Sequence, residues 1–545
     1  MKTTLICKYT FVGIALSLLT ACSDFFEPEN KTALKGDDYM GESGEMYSGF
    51  AGIVTRMQTL ADHNIYVFDS RAETFIPTDR DTEMLNLSNY EDNVKDNAYA
   101  DPANYYDVII SCNDYLEKIR AYKNEHPSSV DMTHYEGLVG GALRIKAWTY
   151  LNLAKAYGKV VWFDDPMTSM KDYSQYPRLD LDQTVKACVE LLEKGFDGVN
   201  ANHTFDWSEW LAGSENQNEG NWGVWNMMTP PYFALAAELA LWQEDYQRVA
   251  DILLPAMNNA FETSPSYYVY MCSENYSANN YSRIFSATTP LGHVAAGAIT
   301  YNSKKAQTNT LSKNYYSAPI LLASEAAMKR YTDTDFNPLK ANAKDIRESQ
   351  NYASQSDTEW KLRRYRSSES AIYLYRGVEF YLMLIEAFNH LDRGIEMETL
   401  MNSGCDKYFT DVCKGDLEVF FERFKGFSKY WVKYEVSVKK AGDKGVRGCL
   451  GLVARDMKTD LTEENIRHND MEILKEYVLE FPGEGKTLPT MIRMARRYGN
   501  EVMADLVCGK YENVVGFEAV SEKVRGKLEA GNYFIPWNID GTSLH

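Results

Sequence analysis

Residues 483–487 read Gly-Glu-Gly-Lys-Thr and end like a phosphate-binding loop. In such a loop, backbone N–H groups and the lysine bind the phosphates of a nucleotide. The motif requires a further glycine at position 480, where this chain has Glu480, and the preceding sequence does not predict a strand. We therefore do not expect nucleotide binding at this segment.

A second segment has acidic residues with the spacing of a calcium loop. Asp333, Asp335 and Asn337 alternate as the first ligands of an EF-hand do. However, Pro338 occupies the position that needs glycine, and Lys344 replaces the closing glutamate. The sequence excludes an EF-hand and leaves a looser calcium site open.

Paired carboxylates could hydrolyse a glycosidic bond, but only at a defined separation in space that a sequence does not show. Asp206 and Glu209, next to Trp207 and Trp210, form the best candidate pair. The chain has neither an HExxH nor a GxSxG motif. The sequence therefore predicts a protein that is not an enzyme and that has no cofactor and no metal ligands beyond the looser calcium site left open above.

The N-terminus has the pattern of a bacterial lipoprotein signal. Lys2 and Lys8 flank the start, residues 11–19 form an apolar run, and Leu-Thr-Ala precedes Cys22. The run is shorter than the roughly 20 residues that a membrane-spanning helix needs. We expect cleavage before Cys22 and acylation of Cys22 with fatty acids such as palmitate, which anchor a chain to a membrane. A plain secreted protein is the alternative.

The net charge of this 545-residue chain is −20 at neutral pH, and no basic run offsets it. A polyanion would be repelled, so the composition excludes a nucleic-acid partner. The nine cysteines are widely spaced and include no CxxC pair, which argues against both a disulfide framework and a zinc site.

Helical periodicity dominates the first half of the chain. It predicts helices over 104–122 and 134–157, the second ending at Gly158, and a helical pair over 230–257. The junction within this pair resembles that of a tetratricopeptide repeat, although no 34-residue period runs through the chain. Residues 198–229 and 262–316 read as long loops, which are often functional.

Four ordered segments resemble the SusD/RagB family of Bacteroidetes outer-membrane lipoproteins. They include Gly-Ala-Leu-Arg-Ile-Lys-Ala-Trp from residue 141, Asp-Ile-Arg from residue 345 followed by Arg-Gly-Val-Glu-Phe-Tyr-Leu from residue 376, Ile-Leu-Lys-Glu-Tyr-Val-Leu-Glu-Phe-Pro-Gly-Glu-Gly from residue 473 and Tyr-Phe-Ile-Pro-Trp-Asn from residue 533. Within the second segment, Arg376 and Glu379 lie one helical turn apart and are expected to form a surface or half-buried ion pair.

The resemblance implies a mostly α-helical fold, with tetratricopeptide-like helix pairs on one side and an irregular, loop-rich lobe on the other. It divides the chain into a signal peptide (1–21), a lipidated tether (22–40) and a single SusD-like domain (41–545). It also implies an outer-membrane location facing the exterior and a SusC-like TonB-dependent transporter as partner. The ligand would be a glycan, passed to the transporter without chemical change.

Two alternatives remain open at this point. In some branches of the family the ligand is a peptide, so the same architecture could bind peptides or glycoprotein fragments. A scaffold or adhesin without a nutrient ligand is the other alternative.

A sugar ring is bound through flat aromatic side chains under its C–H face and through polar groups at its hydroxyls. Exposed loops on a rigid scaffold suit this task. Three aromatic-rich regions are candidates. The residues selected are Asp79, Arg80, Tyr90, Asn97, Tyr99 and Tyr105 in the first, Trp207, Trp210 and Trp222 in the second, and Tyr276, Tyr281 and Tyr301 in the third.

Overall fold

The computed structural model describes residues 40–94, 96–166, 175–207, 227–263, 295–301, 303, 307–333, 336, 345–432 and 452–537. The helices are α1 (Gly44–Asp69), α2 (Thr82–Ser88), α3 (Ala103–Glu125), α4 (Met132–Tyr157), α5 (Leu181–Lys194), α6 (Tyr232–Trp242), α7 (Tyr246–Thr263), α8 (Glu325–Lys329), α9 (Arg347–Asn351), α10 (Gly377–His390), α11 (Gly394–Met401), α12 (Gly404–Asp411), α13 (Leu417–Arg423), α14 (Glu463–Glu480), α15 (Thr487–Tyr498), α16 (Glu501–Cys508) and α17 (Glu518–Glu529). The strands are β1 (Phe75–Pro77), β2 (Lys159–Val161), β3 (Arg178–Asp180), β4 (Ala295–Ile299), β5 (Leu321–Ser324), β6 (Tyr352–Ser354), β7 (Glu359–Leu362) and β8 (Ile372–Arg376).

Helix α4 is the centre of the helical side. The Asp131 carboxylate caps its N-terminus by accepting from the Thr133 and His134 N–H groups, and Gly158 ends it in the left-handed conformation (φ 72°). α4 packs against α1, α3 and α5, and almost all of its residues are buried. The predicted helix and its glycine stop are both confirmed.

The other helices also pack mainly against neighbours in sequence. α6 and α7 form the predicted pair, joined by the turn at residues 243–245, and α10 packs against both α7 and α11. α14, α15 and α16 continue the same pattern, each packing on the next. The predicted mostly α-helical class is thus confirmed.

The strands are short and antiparallel. β1, β5, β7 and β6 form one sheet in that order, while β2 pairs with β3 and β4 pairs with β8. Five of them lie within residues 295–376, interleaved with short helical turns. This stretch is the irregular part of the described structure.

A buried ionic network connects this irregular part to α14. Arg347 Nη1 donates to Glu476 Oε1 at 2.7 Å and to Glu480 Oε2 at 3.1 Å, and its Nη2 donates to Asp345 Oδ2 at 2.7 Å. Arg376 donates to Glu480 and Glu484 at 3.0 and 2.8 Å. All of these side chains are buried, and their mutual pairing offsets the cost of removing each charge from water.

The expected ion pair between Arg376 and Glu379 is not formed. Arg376 is the last residue of β8 and is 1% exposed, so it points to the α14 carboxylates rather than along α10. Glu379 accepts instead from Lys486 Nζ at 3.0 Å. The prediction was wrong because a strand ends where a continuous helix was expected.

None of the helices in the described part of the chain combines the length and hydrophobicity needed to cross a membrane. The predicted signal peptide and Cys22 lie outside the described residues, and so does the tether except for its last residue, Met40.

Candidate functional site

The first predicted region splits into exposed and buried residues. Asp79 and Arg80 are exposed in the loop between β1 and α2. Tyr99 is half-buried, and its hydroxyl donates to Asp81 Oδ2 at 2.9 Å. Asn97 is buried, where its side chain accepts from the Tyr99 N–H and donates to the Glu83 carbonyl. This arrangement gives Asn97 a role in fixing the loop.

Two tyrosines of the same region lie inside the protein. Tyr105 is fully buried, and its hydroxyl donates to Asn64 Oδ1 at 2.9 Å. Tyr90 is 4% exposed, and its hydroxyl donates to the Arg71 carbonyl at 2.7 Å. The expectation of exposed platforms is wrong for both, because Tyr105 lies on the buried face of α3 and Tyr90 packs against Arg71.

The second and third regions are only partly described. Trp207 is 3% exposed and packs on Phe50 and Phe205, so it is a core residue rather than an exposed platform. Tyr301 is buried and donates to the Gln58 carbonyl. The remaining candidates of these regions, Trp210, Trp222, Tyr276 and Tyr281, lie outside the described residues.

The segments considered for catalysis or calcium binding either form structural contacts or lie partly outside the described residues. The phosphate-loop-like segment lies between α14 and α15, where Glu484 pairs with Arg364 and Arg376 and the Gly485 N–H donates to Asp69. Asp206 is exposed, and its candidate partner Glu209 lies outside the described residues, as do Asp335 and Asn337. The described residues contain no cluster of three potential metal ligands.

A cleft between the 90–94 segment and the C-terminal segment 531–537 is lined by several aromatic side chains. We call it the tail cleft, and its volume is about 480 Å³. Its described lining residues are Arg71, Tyr90, Asp92, Tyr157, Gly158, Lys159, Lys527, Gly531, Asn532, Phe534, Ile535, Pro536 and Trp537.

The end of α4 positions the tail. The Ile535 N–H donates to the Ala156 carbonyl at 2.9 Å, which fixes the tail across the last turn of the helix. Phe534 lies directly on Gly158, where a Cβ atom would come within 2.5 Å of its ring. Trp537 meets the Tyr157 ring edge to face at 5.7 Å. Phe534 and Trp537 are both half-buried.

The floor of the tail cleft contains two polar groups without a partner in the described structure. Arg71 is 2% exposed, its Nε has no hydrogen-bond partner, and no ion pair to its guanidinium is found among the described residues. The hydroxyl of Tyr157, also buried, has no partner either. Burial lowers the pKa of Arg71 and raises that of Tyr157 well above its usual value.

Buried arginines elsewhere in the described structure show what pairing Arg71 lacks. Arg144, for example, donates to the carbonyls of Pro230, Ala201 and His203. Among the described residues, Arg71 has the ring of Tyr90, whose centroid lies 4.2 Å from its guanidinium carbon. A cation–π contact contributes about 0.5–2 kcal/mol, whereas burying an unpaired charge costs several kcal/mol. The ring alone does not balance the burial.

Lys510 holds the turn that carries Arg71. Its ammonium group is buried and donates to the carbonyls of Ser70 and Ala72 at 2.9 and 3.0 Å, and to Ser88 Oγ at 3.1 Å. Burial lowers its pKa to about 7. Because both neighbours of Arg71 are fixed in this way, the guanidinium has a rigid backbone support.

Polar groups surround the rim. Lys527 Nζ donates to the Tyr90 carbonyl at 2.5 Å and to Asp92 at 2.7 Å, and this contact lowers the pKa of Asp92. Lys159 and Asn532 are exposed. Asp92 is the one carboxylate among the described lining residues, whereas glycoside hydrolysis of the usual kind needs two. The arrangement is suited to binding.

In two other cavities, the charged side chains of the lining form ion pairs with neighbouring carboxylates. A cleft of about 660 Å³ contains Arg496 and Arg497, which pair with Asp182 and with Glu244, respectively. A third, of about 300 Å³, is lined by Trp162 and by Lys146, which pairs with Asp164. Only the tail cleft combines half-buried aromatic rings with an unpaired buried charge in the described structure.

Sequence reasoning did not select Arg71, and it did not predict that the C-terminal segment 531–537 lines a cleft. The tail was noticed for its family resemblance, and Tyr90 was selected as an aromatic platform. Arg71 lies in an ordinary turn after α1 and belongs to no motif. Its position becomes visible only when residues 71, 90, 157 and 537 meet in space.

The sequence matches no protein-family model and no curated protein. The structure, however, is similar to solved SusD-superfamily proteins. One from Bacteroides fragilis has a TM-score of 0.55 at 14% identity over 84% of this chain and 91% of its own. Another, from Bacteroides vulgatus, has a TM-score of 0.55 at 12% identity over 90% and 93%. One from Bacteroides thetaiotaomicron gives 0.53 at 13% over 89% and 94%.

Proposed function

We propose that this chain, which has the fold of the SusD superfamily, binds an oligosaccharide non-covalently at the tail cleft and passes it to a TonB-dependent outer-membrane transporter. In this proposal the chain is a lipoprotein anchored through Cys22 on the outside of the cell. The observation that carries the binding step is the tail cleft itself, where aromatic rings and hydrogen-bonding groups line one concave surface.

The two kinds of lining group match the two faces of a sugar. Phe534 and Trp537 offer apolar ring surface to C–H groups, and they are held on a rigid helix end. Asn532, Lys159 and Asp92 lie beside them and can pair with hydroxyl groups. A volume of about 480 Å³ accommodates one or two sugar rings of a longer chain.

The described lining of the cleft does not contain the two carboxylates that glycoside hydrolysis usually needs. Its described lining offers one carboxylate, and that carboxylate already accepts from Lys527. Release of an unchanged ligand is what delivery to a transporter requires, so we propose a binding protein rather than an enzyme.

The binding step is tested by calorimetric titration of the full chain in detergent with a panel of plant and host oligosaccharides. Trp537→Ala should weaken binding about threefold to tenfold, because one stacking contact is lost. Trp162→Ala is the matched control, since Trp162 is a half-buried tryptophan that lines a different cleft. Equal loss in both variants, or no binding at all, would contradict the proposed site.

Delivery is tested separately. Purification of the tagged chain from native outer membranes should recover a large β-barrel transporter. Cys22→Ala should leave ligand binding unchanged and release the chain from the membrane. Recovery of the chain without any barrel would contradict the transport step while leaving the binding step intact.

A further inference from the structure

The inference concerns the unpaired charge on the floor of the tail cleft, and it rests on the proposed function. Arg71 and the Tyr157 hydroxyl are both buried, both line the cleft, and neither has a hydrogen-bonding partner for its buried polar atom in the described structure. Buried polar groups are nearly always paired, and an exception needs a physical explanation. A single ligand that contacts both Arg71 and the Tyr157 hydroxyl would explain why two unpaired buried groups line the same cleft.

The described residues of the chain offer no candidate for that partner. Asp92, the carboxylate in the cleft lining, accepts from Lys527 Nζ. The tyrosines beside Arg71, Tyr90 and Tyr157, are neutral because burial raises the pKa of each hydroxyl above its usual value. The surrounding cations, Lys159 and Lys527, make this cleft locally positive on a molecule with a net charge of −20.

A guanidinium group donates through a planar fork that matches a carboxylate, and a nearby hydroxyl can donate a further hydrogen bond. A singly charged carboxylate also meets less repulsion from the acidic molecule than a doubly charged phosphate would. Neutral sugars supply only hydroxyls, which do not neutralise a buried charge.

We propose that Arg71, with Tyr157, binds a carboxylate of the ligand, so that the tail cleft selects acidic over neutral ligands. Two sources carry this chemistry: a sugar acid within a glycan, or the free carboxylate of a peptide. The aromatic rings hold the adjoining part of the ligand in either case.

Matched acid and neutral probes test the selection. We would titrate the full chain in detergent with trigalacturonic acid and with its methyl ester, in which each carboxylate is replaced by an uncharged ester of nearly the same shape. The acid should bind about tenfold to a hundredfold more tightly than the ester, the usual range for a charge-assisted hydrogen bond. N-acetyl-tripeptide acids and the corresponding amides provide the same comparison for the peptide source.

The Arg71→Met variant separates a ligand-binding role from a packing role. It should remove the preference for the acid while leaving thermal stability unchanged or higher, because an unpaired buried charge is lost. Tyr157→Phe should weaken acid binding less and leave ester binding unchanged. Arg248→Met, at a solvent-exposed ion pair with Glu193, is the control for the change in net charge.

The outcomes distinguish the inference from the function on which it rests. If acid and ester bind equally, the cleft binds sugars and the carboxylate inference is wrong. If Arg71→Met destabilises the protein and keeps the acid preference, Arg71 is a packing residue and the inference is again wrong. If peptide acids bind and sugar acids do not, the inference stands and the glycan part of the proposed function falls. If no probe binds, both are wrong.

Discussion

At the scale of single residues, His63 links burial to acid stability. It is 7% exposed, its Nε2 has no partner in the described structure, and burial lowers its pKa to about 4. Between pH 6.5 and 4 the unfolded chain therefore binds a proton that the folded chain does not, so stability falls as pH falls through that window. The loss amounts to about 3 kcal/mol at most.

We expect His63→Gln to flatten this part of the stability profile. The measurement is urea unfolding at about pH 7, 5.5 and 4, because the slope and the midpoint together give the free energy of unfolding. His126→Gln, at an exposed histidine, is the matched control. Parallel profiles for His63→Gln and the unchanged protein would show that His63 is not the group responsible.

The buried ionic network gives a second prediction at this scale. Arg347→Met should destabilise the protein by about 3–5 kcal/mol, because it leaves Asp345, Glu476 and Glu480 buried without their common partner. Arg525→Met removes a surface pair with Asp505 and should cost less than about 1 kcal/mol. Thermal unfolding measures both, and a similar effect in the two variants would contradict the assignment of Arg347 to a structural role.

At the residue scale, the sequence pointed to residues that do form specific contacts, but it predicted the wrong surroundings for several of them. Arg376 was expected to pair with Glu379, its neighbour on a helix, and it pairs instead with Glu480 and Glu484 on a distant element. Tyr90 was expected to be exposed and instead packs under Arg71. In each case the partner is far away in sequence, where periodicity carries no information.

At the scale of elements, long periodic helices could be predicted and short elements could not. The prediction of 134–157 differs from α4 by two residues at its start, because a 26-residue helix repeats its pattern several times. α7 continues through Pro255 to Thr263, although a proline usually disfavours a helix interior. β8 has only five residues, too few for a pattern to emerge before α10 begins.

Close packing of α4 on the loop at residues 203–205 depends on its glycines. A Cβ atom on Gly137 would lie 2.6 Å from the backbone of Thr204 and Phe205, so Gly137→Ala forces the loop to move. We expect a loss of about 1–3 kcal/mol, the usual cost of overpacking. Chemical denaturation measures it.

Gly52 provides the matched control for this prediction. It lies within α1 and has open space at the position of its Cβ atom. Gly52→Ala should therefore stabilise the protein by about 0.5–1 kcal/mol, as alanine does in an exposed helix. If both substitutions had the same sign, helix propensity rather than loop contact would govern Gly137.

At the scale of the whole molecule, the net charge of −20 opposes the ligand that the tail cleft selects. The repulsion from the acidic surface as a whole and the attraction from the cationic groups of the cleft act over different distances. In about 10 mM salt the Debye length is about 30 Å, so an approaching carboxylate senses charge over much of the surface. In about 150 mM salt it is about 8 Å, and the carboxylate senses mainly Arg71, Lys159 and Lys527 around the cleft.

Affinity for trigalacturonic acid should therefore pass through a maximum as salt increases. It should rise from about 10 to 150 mM as the repulsion of the acidic surface is screened, and fall towards about 1 M, where the Debye length is about 3 Å and the local attraction is also screened. Binding of the methyl ester should hardly depend on salt, since it carries no charge. A steady decrease for the acid from the lowest salt onwards would mean that the cleft's own charges dominate at every distance, and that the acidity of the remaining surface has no part in ligand selection.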